Sequence, residues 1–353
     1  MMMVVFGAGA SYDSAPARPS GKYPGRMLPA RPPLATELFL DSGLFAAALR
    51  NFPQCNAIVP YLRSIPAGVT LEHVLESLQA EGESDPERKR QMAAIRFYLH
   101  FMIWECGDAW VGETAGITNY VTLIDQLRRC RESSEPVVLV TFNYDRLIEE
   151  ALNSIGTTIT DIPDYIKHDR FKLFKLHGSV HWGREVETPI ADVVNRNAWE
   201  IGRELIDRAS ELKISDRYRM SPHRPIGKID NVPLFPAIAI PVETKRNFEC
   251  PGDHLDSLRA LLGKVTAILV VGWRATEGHF LKLLKQHLKA QVRIQVVAGG
   301  RSAAEEALHQ IGSSGISLAG SALDGGFTEY VVSREAERFF ARNSVGSDQT
   351  PGN

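Results

Sequence analysis

Cysteine, long apolar runs and excess charge are all scarce in this sequence of 353 residues. Its four cysteines form no CxxC pair, which argues against a thiolate zinc site and indicates reduced thiols: Cys55, Cys106, Cys130 and Cys250. No apolar run approaches the roughly 18 residues that a transmembrane helix requires. With 40 basic and 42 acidic residues, the net charge of −2 does not favour binding to nucleic acid. We therefore expect a cytoplasmic protein without a bound metal that contacts neither membrane nor nucleic acid.

The sequence does contain a repeated succession of apolar strand, turn and amphipathic helix. Short apolar runs that end in glycine or polar residues predict strands at 1–6, 137–142, 171–176, 267–271 and 292–297. Such alternation is typical of a parallel sheet covered by helices. We predict an α/β fold: a Rossmann-like parallel sheet with helices on both faces and an inserted, mainly helical module.

Changes in composition suggest how the chain is divided. We assign 1–183 and 232–342 to the Rossmann-like domain, with a helical excursion over 70–112. The polar segment 184–231 shows helical spacing followed by basic residues, and we predict an inserted module of helix and loop there. The polar, Gly- and Pro-containing segment 343–353 is predicted to be a disordered tail.

A proline-rich, basic segment follows the first predicted strand and its glycine turn. Residues 15–33 contain six prolines, four basic residues and no acidic one. Proline excludes a helix or a central strand, so this segment is predicted to be a loop. It is either a solvated surface loop or a flap over a bound anion, because long loops in compact domains often act as lids.

Three polar motifs come directly after three of the predicted strands. They are Gly7-Ala8-Gly9-Ala10-Ser11, Thr141-Phe142-Asn143-Tyr144-Asp145 and Lys175-Leu176-His177-Gly178-Ser179. Ligands of open parallel sheets bind at the carboxyl ends of the strands, so the motifs are expected to meet in one crevice. A glycine turn allows the backbone to approach a diphosphate closely.

Each motif alone also has a purely structural explanation. Asn143 and Asp145 are good helix caps, and a single histidine such as His177 is more often structural than catalytic. The glycine motif departs from the dehydrogenase fingerprint, because Tyr12 occupies the third glycine position and no acidic-ended strand follows. A hydride-transfer dehydrogenase is therefore disfavoured.

The ordered combination GAGAS, TFNYD, KLHGS and VVGWR resembles the sirtuin-like family. It is most similar to the bacterial branch found in anti-phage defence, to which Trp182, the segment 235–241 and Lys245 also correspond. The resemblance covers residues 1–183 and about 232–300.

This resemblance implies that NAD is the substrate and assigns roles to individual residues. His177 would be the general base, Asn143 would hold a water or the nicotinamide ribose, and Asp145 would contact the nicotinamide amide. The glycine turn would hold the diphosphate under a closing loop at 15–33, and Gly272 would pack against the adenosine half. The implied NAD-binding set is Gly7, Ala8, Gly9, Ala10, Ser11, Thr141, Asn143, Asp145 and Gly272. The resemblance assigns no role to Arg274 or Glu277.

The four-cysteine zinc module of sirtuin deacylases has no counterpart in this sequence. Its absence favours a zinc-free NAD+ glycohydrolase that yields nicotinamide and ADP-ribose and depletes NAD in abortive infection. A protein deacylase and a non-catalytic NAD- or ADP-ribose-binding subunit remain alternatives. Regulation is expected from a partner ATPase or sensor protein, or from assembly into a homo-oligomer.

Overall fold

The computed structural model describes residues 1–15, 31–41, 43–66, 68–130, 135–221, 227–242 and 248–341. Three features predicted from the sequence therefore lie outside the described residues: most of the loop 15–33, Lys245 and the tail 343–353.

The strands of the described residues form two sheets. In chain order they are β1 (Met2–Phe6), β2 (Val137–Thr141), β3 (Phe171–Lys175), β4 (Gly178–Val186), β5 (Ile214–Met220), β6 (Gly227–Ile229), β7 (Val232–Ile238), β8 (Ala267–Val271), β9 (Val292–Val297) and β10 (Leu318–Leu323). One sheet has the order β10-β9-β8-β1-β2-β3 and is parallel throughout. The other has the order β5-β4-β7-β6 and is antiparallel.

Helices occupy most of the connections between these strands. They are α1 (Ala8–Tyr12), α2 (Gly43–Leu49), α3 (Val59–Arg63), α4 (Leu71–Glu81), α5 (Pro86–Thr114), α6 (Asn119–Arg129), α7 (Leu147–Ser154), α8 (Asp164–Lys167), α9 (Ala198–Asp207), α10 (Gly252–Leu262), α11 (Gly278–His287), α12 (Arg301–Ser313), α13 (Gly326–Val332) and α14 (Glu335–Ala341). Short 3-10 turns lie at Ala35–Glu37 and Pro53–Cys55.

Both faces of the parallel sheet are buried under helices. On β1, Val4 and Phe6 pack toward α6, α7, α13 and α14, whereas Met3 and Val5 pack toward α10, α11 and α12. A strand that is buried on both faces must be apolar at every position, which explains the unbroken apolar run at the start of the sequence. The predicted Rossmann-like fold with helices on both faces is confirmed, and α5 supplies its helical insert.

The order of strands in the parallel sheet reverses beside β1. From β1 the chain continues to β2 and β3 on one side, and it returns to β8, β9 and β10 on the other. Ligands of open α/β sheets bind at such a switch point, outside the carboxyl ends of the strands. The turns after β1 and β8 begin at Gly7 and Gly272, so they lie at this point.

A separate core joins the helices that follow the glycine turn to the antiparallel sheet. Apolar residues of α2, α3, α4, α5 and α9 pack there against β4 and β7. α5 begins at a sequence-encoded boundary, because Asp85 caps it by accepting from Glu87 N at 2.9 Å and Pro86 occupies its first turn.

The segment 184–231 contains both helix and strand. Its helical spacing corresponds to α9, but the same segment includes β5, β6 and the end of β4, which the sequence did not suggest. β5 (ISDRYRM) is mostly polar, and β7 contains Pro233 and Pro236, residues that normally argue against an inner strand. β7 still pairs on both sides, with a register irregularity opposite Gly178–Gly183, next to Pro236.

Candidate functional site

The turns after β1, β2, β3 and β8 meet at one edge of the parallel sheet. Gly7 N donates to Val271 O at 3.1 Å, Phe142 N to Phe6 O at 3.1 Å, and Leu176 N to Thr141 O at 3.0 Å. Each hydrogen bond joins the first residue after one strand to the end of its neighbour. The structure thus brings together the three motifs that the sequence singled out.

The glycines of the first and fourth turns allow these turns to touch. Gly9 N donates to Gly272 O at 3.1 Å. A Cβ on Gly7 would lie 2.5 Å from Gly272 O, and Gly272 has φ +59° with Ala10 N 2.3 Å from its would-be Cβ. Contact between the turns therefore requires glycine at both positions. Within the first turn, Ala8 is exposed.

Asn143 is fixed by the glycine turn. Its Nδ2 donates to Gly7 O at 2.9 Å and to Ser11 Oγ at 2.8 Å. The hydroxyl of Tyr120 lies 3.3 Å from the same nitrogen and 2.9 Å from Ser11 Oγ. Because the protein holds the amide nitrogen, the amide oxygen is the atom left to accept a hydrogen bond from a ligand. Tyr120, which lies on α6, could not be identified as a site residue from the sequence.

Asp145 is buried at the start of α7. It is 5% exposed, and its Oδ1 accepts from Leu147 N at 3.0 Å. Burial raises the pKa of Asp145, while the nearby cation Lys175 and the Ser11 hydroxyl oppose this shift. A Cβ on Gly107 of α5 would lie 3.8 Å from Asp145 Cβ, so α5 passes close beside the carboxyl group.

A buried ion pair lies behind Asp145. Lys175 Nζ donates to the backbone oxygen of Asp145 and contacts Glu149 Oε1 at 2.9 Å. Tyr165 OH donates to the same Glu149 oxygen at 2.9 Å. The side chain of Lys175 is only 1% exposed. Because Lys175 belongs to the third motif, its hydrogen bond to Asp145 links that motif to the second one.

His177 lies among aromatic side chains. It is 3% exposed, and its ring centroid lies 4.8 Å from that of Phe142 and 6.3 Å from that of Tyr144. His279 of α11 stacks on it at 6.2 Å and 23°. Phe142 in turn stacks on Trp273 at 5.3 Å and 18°. Since Phe142 and Tyr144 flank Asn143, His177 packs against the turn that presents Asn143.

The remaining predicted residues support this arrangement. Thr141 is buried, and its Oγ1 accepts from Asn143 N at 3.0 Å, so it shapes the turn. Glu277 accepts a hydrogen bond from Trp273 Nε1 and so helps to fix the Trp273 ring that stacks on Phe142. Arg274, which is largely exposed, pairs with Glu72 Oε1 at 3.1 Å and ties the fourth turn to α4. Arg31, at the described end of the proline-rich segment, lies over the Tyr12 ring beside the glycine turn.

His181 occupies a separate pocket four residues along the chain. Its Nε2 lies 2.7 Å from Arg146 Nη1, and its ring packs on Trp104 at 4.9 Å. Burial and the positive charge of Arg146 lower the pKa of His181 to about 2, so this imidazole is neutral.

Within the described ranges, no group of three or more His, Cys, Asp or Glu residues is placed to hold a metal ion. No described helix is both long and apolar enough to cross a bilayer.

Asp145→Asn is expected to be more stable than the wild type. The difference in the free energy of unfolding should grow as the pH rises above about 4, the ordinary pKa of aspartate. Because burial raises the pKa of Asp145, the wild type loses stability as the pH rises through the folded-state pKa. Asparagine does not titrate, and its amide oxygen can still accept from Leu147 N. Urea unfolding at pH 4.5 and pH 7.5 measures the change.

Asp164→Asn provides a control of opposite sign. Hydrogen bonds from Thr160 lower the pKa of Asp164, so the wild type gains stability as the pH rises. Asp164→Asn does not gain this stability and should become less stable relative to the wild type. A stability difference for Asp145→Asn that is flat or shrinks with increasing pH would contradict the burial argument.

Comparison with known protein families bears directly on this site. A family model described as a SIR2-like domain matches residues 137–198, which include Asn143, Asp145 and His177. Comparison with curated proteins gave no match. The matched segment runs from β2 to the start of α9 and so contains the second and third motifs. This match is consistent with the sirtuin-like family that the motifs of the chain resemble, and a SIR2-like domain fits an NAD-utilising enzyme in general.

Proposed function

We propose that this protein is an NAD+ glycohydrolase, which hydrolyses the bond between nicotinamide and ribose. The observation that supports this most directly is the packing of His177 against the turn that presents Asn143 and Asp145, at the switch point of the parallel sheet. We expect a buried imidazole, an oriented amide and a buried carboxyl group to face one crevice there.

The proposed reaction begins with NAD bound across the turns after β1 and β8. As the bond between the nicotinamide nitrogen and C1′ of the ribose breaks, its electron pair moves to the nicotinamide and positive charge develops on the ribose. A water oxygen forms the new bond to C1′. His177 accepts the proton that this water releases, and general base catalysis of this kind contributes roughly 10²–10⁴-fold.

Asn143 and Asp145 position the reacting groups in this mechanism. The amide oxygen of Asn143 accepts a hydrogen bond from the water or from a ribose hydroxyl, because its nitrogen is already held by Gly7 and Ser11. The raised pKa of Asp145 favours its protonated form relative to an exposed aspartate. That carboxyl group is suited to hydrogen bonding with the neutral carboxamide of nicotinamide.

An aromatic wall covers one side of His177. Phe142, Trp273 and Phe280 pack against one another beside His177. A site of this kind strengthens electrostatic interactions with the developing charge and leaves room for a planar ring.

Hydrolysis is favoured over deacylation by the region between the third and fourth motifs. The sequence there contains no four-cysteine module, and the described residues of this region form the antiparallel sheet, α9 and α10 instead. We further propose that NAD depletion serves anti-phage defence by abortive infection. Control by a partner ATPase or sensor protein, or by homo-oligomerisation, is part of this proposal and follows from the family resemblance.

Nicotinamide release from NAD tests the proposal. The protein, alone and co-purified with its genomic neighbours, is incubated with NAD in the presence and absence of an acetyl-lysine peptide, and NAD binding is measured in parallel. We expect equal release with and without peptide. Release only with peptide would establish a deacylase, and binding without release in every preparation would establish a binding subunit.

A further inference from the structure

A cavity lies near Tyr144, whose hydroxyl donates to the backbone oxygen of Ala239, next to the lining residue Ile240. It has a volume of about 400 Å³ and opens between α4, α5 and the antiparallel sheet. Its lining includes Met92, Ala93, Arg96, Leu212, Phe235 and Ile240. The volume falls within the range typical of small-molecule sites, and none of the residues assigned to NAD lines it.

Arg96 stands out among the lining residues because no described carboxylate lies within hydrogen-bonding distance of its guanidinium. Its side chain is 22% exposed, and the nearest carboxylate oxygen, Glu249 Oε2, is 3.9 Å away. Among the described residues, no acceptor lies within hydrogen-bonding distance of its guanidinium, which instead lies over the Phe235 ring at 5.6 Å. Burial lowers the pKa of Arg96, which reflects the cost of holding this cation out of water. A guanidinium has five donors, and the accessible part of the Arg96 side chain leaves them open to a ligand in the cavity.

Glu249 does not depend on Arg96 for its own partners. Its Oε1 accepts from Tyr218 OH at 3.0 Å and lies 3.5 Å from Arg184 Nη1. The carboxylate is therefore already hydrogen-bonded and charge-paired without Arg96. Near the solvent, the cavity is lined by one further cation, Lys89, and one carboxylate, Glu83. The cations of the lining thus outnumber its carboxylates.

We propose that this cavity binds a small amphipathic carboxylate. Its carboxylate group would accept two hydrogen bonds from the Arg96 guanidinium, a geometry for which arginine is well suited. Its apolar body would pack against Met92, Phe235 and Ile240. The ligand would accept from donors for which the described residues supply no acceptor, and the same molecule would cover apolar surface.

Decanoate is the probe, and decanol, which has the same chain without the charge, is the matched control ligand. Isothermal titration of the full chain should show saturable binding of decanoate and at least about tenfold weaker binding of decanol, because hydrogen bonds to charged groups are the stronger ones. Equal affinity for the two ligands, or no binding of decanoate, would overturn the proposal. This readout is independent of NAD turnover.

Two variants locate the ligand. Arg96→Met keeps an unbranched apolar stem without the charge and should weaken decanoate binding by about tenfold or more. Arg90→Met is its control on the same helix, because Arg90 pairs with Glu87 and Asp207 and should leave affinity unchanged. Should Arg96→Met fail to fold, Ala93→Leu, which fills the cavity and keeps Arg96, should also abolish binding. Decanoate affinity that is unchanged in Arg96→Met or in Ala93→Leu would place the ligand elsewhere.

Discussion

His177→Ala is expected to lower NAD hydrolysis by roughly 10²–10⁴-fold, the usual contribution of a general base. The imidazole is the group that accepts the proton from the attacking water, and alanine cannot replace it. NAD binding should persist, because the glycine turn, Asn143 and Asp145 do not need the His177 ring to keep their hydrogen bonds. Nicotinamide release and NAD titration, each measured on both proteins, separate the two effects.

His279→Ala is the informative control. His279 stacks on His177 and contacts the Phe248 ring, so it lies beside His177 without belonging to a motif. We expect it to reduce turnover less than about tenfold, since it would only loosen the packing of the base. The assignment would be reversed by a larger loss in His279→Ala than in His177→Ala. Loss of NAD binding in His177→Ala would instead make His177 a binding residue.

Lys175→Met is expected to destabilise the fold by about 3–5 kcal/mol, the usual cost of removing one partner of a buried ion pair. The substitution leaves the buried Glu149 carboxylate without its cation, and the Oε2 atom of Glu149 has no hydrogen-bond partner among the described residues. It also removes the donor to the backbone oxygen of Asp145. Urea unfolding at neutral pH measures the loss.

Two further variants distinguish the ion pair from general packing on β3. Lys172 lies on the same strand and donates only to the backbone oxygen of Ile166, so Lys172→Met should cost about 1 kcal/mol. Lys175→Met combined with Glu149→Leu removes both charges and should recover most of the stability. A double variant as unstable as Lys175→Met alone would refute the charge argument.

The sequence was most informative where one local pattern determines the structure. β1, β2, β3, β8 and β9 are short apolar runs that end in turns, and each lies where it was predicted. β10 (LAGSAL) was missed, because small residues give neither the apolar run nor the alternation that indicates a strand. The antiparallel sheet was also missed, since the prolines of β7 argue against a strand and only pairing with β4 and β6 overrides them.

For the candidate site, too, the sequence indicated some of the residues and not others. Asn143, Asp145 and His177 could be chosen from motif order, because the ends of neighbouring parallel strands must converge. The partners that hold them could not be chosen: Tyr120 reaches Asn143 from α6, and Lys175 reaches Asp145 from inside the sheet. These contacts join residues far apart in sequence whose local patterns suggest only a buried aromatic and a strand-end lysine.

The central position of β1 has a consequence for synthesis of the protein. β1 lies between β2 and β8, and its register pairs Met2 with Ala267. At a translation rate of roughly 5–20 residues per second, the ~265 residues between these strands take roughly 10–50 s to make. The glycine turn therefore cannot meet Gly272 on the ribosome until β8 has emerged. Under the proposed function, the NAD site would be incomplete throughout that interval. The enzyme would therefore consume no NAD while it is being synthesised, because of the order of its strands.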